Sequence, residues 1–283
     1  MTTLPPELEA RRDRLLDLLR SYGSCAVAFS GGLDSTVLAK AAQLALGDRA
    51  VAVTGTSASL AVGELDESIE LARQIGIRHE VIQTDELAIP GYQENTANRC
   101  YFCKAELFLK VEAIAARLAV AVVCDGSNRD DQGEHRPGLR AARERQIASP
   151  LAECGFTKPE IRQLAAAWEL PTWDKPATPC LSSRIAYGEK VTPERLAMVD
   201  RAEQFLRDRG FLPLRVRYHK GDLARIEVSV ESLPRLADPQ LREELVQHLK
   251  SLGFKYVTLD LEGFRSGSMN AVLPVESLQI ARK

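Results

Sequence analysis

No apolar run in this sequence approaches the roughly 20 residues that a membrane-spanning helix needs, so no membrane span is expected. Charge of one sign is missing too: 37 Lys and Arg stand against 39 Asp and Glu, a net charge of −2. Without a global field, the chain as a whole draws neither nucleic acid nor an anionic membrane, although a local basic patch stays open. The stretch Met1 to Arg20 is charged and helical in pattern and lacks a signal-peptide core, which points to the cytoplasm. In that compartment the six cysteines read as thiols, metal ligands or catalysts rather than as structural disulfides. There is no internal repeat and no low-complexity segment.

What is present is a rhythm of short apolar runs and longer helical patterns. Leucines at helical spacing run from Leu8 to Leu19, and Cys25 to Phe29 is a short buried run. A helix follows over Val37 to Leu46, then a strand over Ala50 to Thr54, a helix over Glu64 to Ile75 and a strand over His79 to Gln83. Lys104 to Leu118 reads as a long helix, Val120 to Cys124 as a strand, and Thr157 to Trp168 as a helix. This alternation implies an α/β domain with a doubly wound parallel sheet. Its strands are continuous Val/Ala/Ile runs, as strands covered on both faces require.

Prolines keep Leu170 to Cys180 from being helical. Beyond it the style changes: helices over Pro193 to Arg209 and Asp238 to Leu252, strand patterns at Leu214 to Tyr218 and Ala224 to Val230 around Lys220-Gly221-Asp222, and a strand at Tyr256 to Asp260. A smaller C-terminal α+β domain is expected, with the boundary placed between residues 175 and 176, giving domains 1–175 and 176–283.

Ligands of open parallel sheets bind beyond the carboxyl ends of the strands, so the polar residues after each strand carry the chemistry. After the first comes Ser30-Gly31-Gly32-Leu33-Asp34-Ser35-Thr36. Two glycines let the backbone approach an anion closely, and free amides at the following helix start favour phosphate. Ser30, Ser35 and Thr36 add hydroxyls. Asp34 would repel a phosphate unless a cation intervened, which suggests a Mg²⁺ ligand. The loop lacks the Gly-Lys-Ser/Thr ending of a Walker A and is not GxGxxG; a glycine turn capped by Asp34 is the purely structural alternative.

Cys100-Tyr-Phe-Cys103 places two thiols within one turn, a spacing able to chelate one metal or cluster, or simply two unlinked thiols. At a helix start a thiolate is favoured. Cys180 lies in Pro176-Ala-Thr-Pro-Cys180-Leu-Ser-Ser-Arg184, held extended by proline beside a cation. Cys25, Cys124 and Cys154 sit in or near apolar runs and read as packing residues. His79, His135, His219 and His248 are scattered and are assigned to no metal.

The Ser30–Thr36 loop resembles the SGGxDS/T loop of the N-type ATP pyrophosphatases, which include GMP synthetase, NAD synthetase and several thiolases. Asp125-Gly126-Ser-Asn-Arg-Asp-Asp131 resembles their second nucleotide-side loop, and Lys158-Pro-Glu160-Ile-Arg162 a further recurring segment. With Asn98-Arg99-Cys100-Tyr101-Phe102-Cys103-Lys104, Trp173-Asp174-Lys175-Pro176, Pro179 to Arg184 and Arg215-Val-Arg217-Tyr-His219, nearly the whole chain resembles the LarE-type sulfur transferases, which build the nickel-pincer nucleotide cofactor of lactate racemase.

That resemblance implies ATP on Ser30, Gly31, Gly32, Asp34, Ser35, Thr36 and Gly126, with Mg²⁺ at Asp34. It implies adenylation of a carboxylate of pyridinium-3,5-biscarboxylic acid mononucleotide, and displacement of AMP by sulfur to give a thiocarboxylate. The sulfur comes from a [4Fe-4S] cluster held by Cys100, Cys103 and Cys180, or from Cys180 itself, which becomes dehydroalanine. Because three thiolates leave one iron open, the cluster is the expected form. Glu203, Arg215 and Arg217 are candidates for the substrate phosphate and adenylate, paired arginines suiting phosphate; a solvated charged face is the alternative. A homo-oligomer and a sulfide or sulfur-relay donor are the implied partners. A transfer-RNA thiolase, an ammonia-dependent GMP or NAD synthetase and a non-catalytic nucleotide sensor are the competing readings.

Overall fold

The computed structural model describes residues 4–133, 137–176, 178–265 and 267–269; His135 and Ala177 lie outside them. The order of elements opens with α1 (Pro6–Ser21), β1 (Cys25–Ala28), α2 (Leu33–Leu46), β2 (Ala50–Thr56), α3 (Glu64–Ile75), β3 (Arg78–Gln83), α4 (Pro90–Gln93), α5 (Arg99–Arg117) and β4 (Val122–Cys124). It continues through α6 (Pro137–Glu144), α7 (Pro150–Glu153), α8 (Lys158–Ala167), α9 (Pro193–Arg207), β5 (Leu214–His219), β6 (Leu223–Val228), α10 (Leu233–Leu236), α11 (Pro239–Ser251) and β7 (Tyr256–Leu259).

The first four strands form one parallel sheet in the order β3-β2-β1-β4. Successive side chains of a strand leave on opposite faces, and the cores divide accordingly. Cys25, Val27, Phe29, Ala50 and Ala52 pack with α1, α2, α3 and α8. Ala26, Val51 and Val53 meet Val111 and Ala115 of α5, while Ala28 meets Phe108 of α5 and Ala141 and Ala142 of α6. Both faces are therefore apolar, which is why β1 and β2 show no polar alternation. This is the doubly wound α/β sheet that the sequence implies.

The smaller sheet has the order β5-β6-β7, with β5 and β6 antiparallel and β6 and β7 parallel. Helices α9 and α11 cover it through Leu196, Val199, Leu206, Leu245 and Leu249. Local signals place these helices: Thr192 caps α9 by accepting from Arg195 N, and Asp238 caps α11 by accepting from Gln240 N and Leu241 N, each cap contributing about 1 kcal/mol. Tyr92, from the α4–α5 corner, is fully buried in this second core, and Ile89, Phe102 and Cys103 pack against it. Residues from the first half of the chain thus complete the core of the second.

One expectation shifts. Helix α5 starts at Arg99, not Lys104, so Cys100 and Cys103 lie inside it. Helix α6 carries no sequence signal that anticipates it. Among the described residues no helix is long and apolar enough to cross a membrane.

Candidate active site

Strand order reverses between β1 and β4, and both following loops meet there. Gly31 adopts φ +67°, and Gly32, extended at φ −79°, opens α2. Ser30 N donates to Ser35 Oγ at 3.2 Å, and Gly32 N approaches Ser30 Oγ at 3.4 Å. Ser30 is exposed and Gly31 buried against α3, where a Cβ would come 3.4 Å from Ser68 Cβ. Thr36 is different from its expected role. It is fully buried and its hydroxyl donates to Gly32 O at 2.8 Å, so it holds the turn and does not offer a donor to a ligand.

Asp34 sits between the two loops. Its carboxylate is paired with Lys158 at the start of α8, and Asn128 Nδ2 donates to it at 3.4 Å. Lys158 is presented by a capping box of Thr157 and Glu160. One carboxylate with the remaining places left to phosphate and water is how Mg²⁺ is commonly held, so Asp34 fits the ion that the resemblance implies. Gly126 packs directly on the loop: a Cβ there would lie 2.9 Å from Ser35 N. Its lack of a side chain lets β4's loop close on the start of α2. Asp125 is buried and accepts from Ser127 and Ser149 hydroxyls at 2.7 and 2.8 Å, with Lys104 Nζ at 4.0 Å.

The Cys180 segment runs along the same edge of the sheet. Lys175 reaches Glu67 at 2.8 Å and Gly31 O at 3.5 Å. Leu181 N donates to Ser59 O beyond β2, and Ala186 N to Tyr218 O of β5. The segment therefore bridges the phosphate loop and the small sheet. Arg184, wholly buried, donates to the carbonyls of Pro179 and Cys180.

Beside this segment lies a cavity of about 200 Å³. Arg99, Arg215 and Arg217 line it with Arg265, and the rings of Tyr187 and Phe264 close it. Burial first, and then the nearby Arg184, pull Arg215 down to about 10; a bound anion would favour its charged form. Arg217 is held by Glu227 at 2.8 Å. Glu203 does not belong to this wall. It is fully buried behind it, accepting from Arg184 at 3.0 and 3.2 Å, Arg207 at 3.3 Å and Val216 N at 3.1 Å. A carboxylate with both oxygens so occupied orients arginines and does not touch a substrate. Arg265 and Tyr187 carry no local signal that would place them here, and Arg99 is marked in the sequence only by its position beside Cys100.

The three candidate ligand thiols share one neighbourhood. Arg99 feels both Cys180 and Cys100, and Cys103 feels Cys180 and Cys100. Their settings differ, however: Cys100 is exposed, whereas Cys103 packs against the second core. Burial, then Cys180, Glu86 and Cys100, push the Cys103 thiol well above its ordinary value, outweighing the helix start that favours a thiolate. Among the described residues, no three His, Cys, Asp or Glu side chains form a group that could hold a metal ion. The arrangement does not fit the expected cluster. Cys25, Cys124 and Cys154 are buried packing residues, as their apolar context implies.

No family model matches the chain. An uncharacterised protein of Synechocystis is 47% identical over 94% of this chain and 99% of its own length. The pyridinium-3,5-bisthiocarboxylic acid mononucleotide synthase of Lactiplantibacillus plantarum is 38% identical over 94% of this chain and 96% of its own. One component of the glutamine-hydrolysing GMP synthase of Methanocella arvoryzae is 30% identical over 64% of this chain and 62% of its own length. Because the likeness to the synthase spans 94% of this chain at 38% identity, the chain belongs to the LarE-type sulfur transferases of the PP-loop superfamily.

Proposed function

We propose that this protein uses ATP to adenylate a carboxylate of pyridinium-3,5-biscarboxylic acid mononucleotide and exchanges AMP for sulfur, forming a thiocarboxylate. The observation that carries the reading is the Cys180 segment, tied at one end to Gly31 of the phosphate loop and flanked by the arginine cavity. Adenylation is needed because a bare carboxylate has no workable leaving group, and AMP supplies one. A carboxylate oxygen attacks the α-phosphorus and pyrophosphate leaves; Lys158 and Lys175 stand where that charge accumulates. Arg215 and Arg217 suit the substrate phosphate.

The thiolate of Cys180 then displaces AMP to give a thioester. Loss of the cysteine Cα proton to a base, with cleavage of its Cβ–S bond, releases the thiocarboxylate and leaves dehydroalanine. A cluster on Cys100, Cys103 and Cys180 with one open iron is the competing source of sulfur, against which stands the lack of any metal-holding group among the described residues. In either case a sulfide or sulfur-relay donor would restore the site.

The test supplies ATP and the biscarboxylate nucleotide to anaerobically purified protein. Pyrophosphate release that depends on the nucleotide, with Cys180→Ser still releasing pyrophosphate but forming no thiocarboxylate, supports the proposal. Release with xanthosine monophosphate and ammonia instead would replace it with a synthetase. Iron and acid-labile sulfide in the protein select the cluster; loss of H₂S from Cys180 after turnover selects self-sacrifice.

A further inference from the structure

One group of buried polar side chains is given no step in this chemistry, although Arg99 also borders the cavity. Tyr92, Asn95 and Arg99, from the α4–α5 corner, are 0%, 0% and 5% exposed, and all three face the segment that follows Cys180. Tyr92 Oη and Ser182 Oγ share a hydrogen bond of 2.5 Å. Arg99 donates to Ser182 O at 2.7 Å and to Asn95 Oδ1 at 2.5 Å. Asn95 Nδ2 faces three carbonyls, those of Ile185, Ala186 and Glu189, at 3.2, 2.8 and 3.0 Å. The backbone adds Gly188 N to Asn95 O and Val191 N to Gln93 O.

Only asparagine satisfies this position on every count. Its φ of +53° lies in the left-handed region, which asparagine tolerates better than most residues. An amide oriented with nitrogen toward the three carbonyls and oxygen toward the guanidinium satisfies both sides; the flipped amide opposes like to like on both. Aspartate would keep the Arg99 contact but set a carboxylate against three carbonyl oxygens, and buried polar groups left so are costly.

We infer that Asn95 is the positioning residue of the sulfur site, fixing the Cys180 segment against the helix that carries Cys100 and Cys103. The assignment rests on the reading of Cys180 as the sulfur residue, but its geometry does not. Asn95 lies five residues before Cys100, and its amide grips Ile185 and Ala186, five and six residues past Cys180. Tyr92 and Arg99 hold Ser182 from the same corner. Releasing this grip frees the loop that bears Cys180, while the phosphate loop keeps the hydrogen bonds made within Ser30–Thr36.

The chain contains its own control. Cys25, Cys124 and Cys154 are 0%, 0% and 3% exposed in the first core and react with a thiol reagent only when the protein opens globally. Alkylation by N-ethylmaleimide, resolved by peptide mass spectrometry at one pH, therefore separates local release from unfolding. In Asn95→Asp the Cys180 rate should rise on the order of tenfold or more, as expected for two or three lost hydrogen bonds, with the three core cysteines unchanged. Turnover should fall with the KM for ATP unchanged. Should Asn95→Asp not fold, Tyr92→Phe removes one hydroxyl from the same grip, and its Cys180 rate should rise about threefold. An unchanged Cys180 rate, or a parallel rise at all four cysteines, overturns the assignment. If alkylation responds as expected but no thiocarboxylate forms in the wild type, the positioning stands and the proposed reaction falls.

Discussion

Replacing Glu203 by alanine should remove much of this protein's stability margin without touching the substrate cavity. Four donor contacts converge on its two oxygens: Arg184 Nε at 3.0 Å and Val216 N at 3.1 Å on one, Arg184 Nη2 at 3.2 Å and Arg207 Nη1 at 3.3 Å on the other. Arg184 is 2% exposed, so its charge, stripped of this partner, would keep hydrogen bonds to the carbonyls of Pro179 and Cys180 and the hydroxyl of Ser183, with Glu64 as a more distant countercharge. Breaking a buried pair by removing one partner costs about 3–5 kcal/mol, against a total stability of about 5–15 kcal/mol. Urea unfolding followed by circular dichroism, extrapolated linearly to water, measures the loss. The companion is the double variant Glu203→Met with Arg184→Met. Exchange of both partners for apolar side chains is often neutral in stability, so it should recover most of the loss, yet lower turnover because the guanidinium no longer holds the Pro179 and Cys180 carbonyls. A loss below about 1 kcal/mol in Glu203→Ala, with KM for the nucleotide raised instead, would refute this reasoning and return Glu203 to the substrate wall.

Gly126→Ala should disrupt the nucleotide site. The new Cβ would lie 2.9 Å from backbone Ser35 N, where no flexible side chain can yield, and overpacking of this kind costs about 1–3 kcal/mol; a fluorescent ATP analogue should bind at least tenfold more weakly, while near-wild-type affinity would contradict the contact. Stability should also fall on mild acidification. Burial lowers both His79 and His219 from their ordinary value of 6.5, so the unfolded chain takes up protons first and stability is lost as pH drops below about 6.5. Urea midpoints at pH 7 and 5.5 should differ less in a His79→Gln, His219→Gln double variant than in the wild type.

Much of the first half is legible because its signals are local. Apolar runs ending in Gly31-Gly32 mark a strand entering a phosphate loop, and in the second half Pro193 and Asp238 mark helix starts that the structure contains. Helix α5 begins five residues before its apparent start because Asn98 makes no side-chain cap, leaving the aromatic and cysteine residues before Lys104 without a boundary. The arginines of Arg215-Val-Arg217 are recognisable, since both line the cavity. Glu203 reads as part of the same wall because a charged residue that meets a ligand and one that meets another residue look alike in a sequence. Contacts such as Asn95 with Glu189 join residues 94 positions apart, and no periodicity reports them. The same holds for the three candidate ligand cysteines, whose spacing suggests a metal group that the described residues do not assemble.

The ring of Tyr92 in the second core has an evolutionary reading. A gene fusion or swap that cut between residues 175 and 176 would transfer every strand of the small sheet and both of its long helices, yet leave behind the aromatic plug that seats among Leu181, Ile185 and Val191. The small lobe is therefore not a portable module. Any such exchange would have to carry along the corner with Cys100 and Cys103, because the core of the small sheet closes on Tyr92.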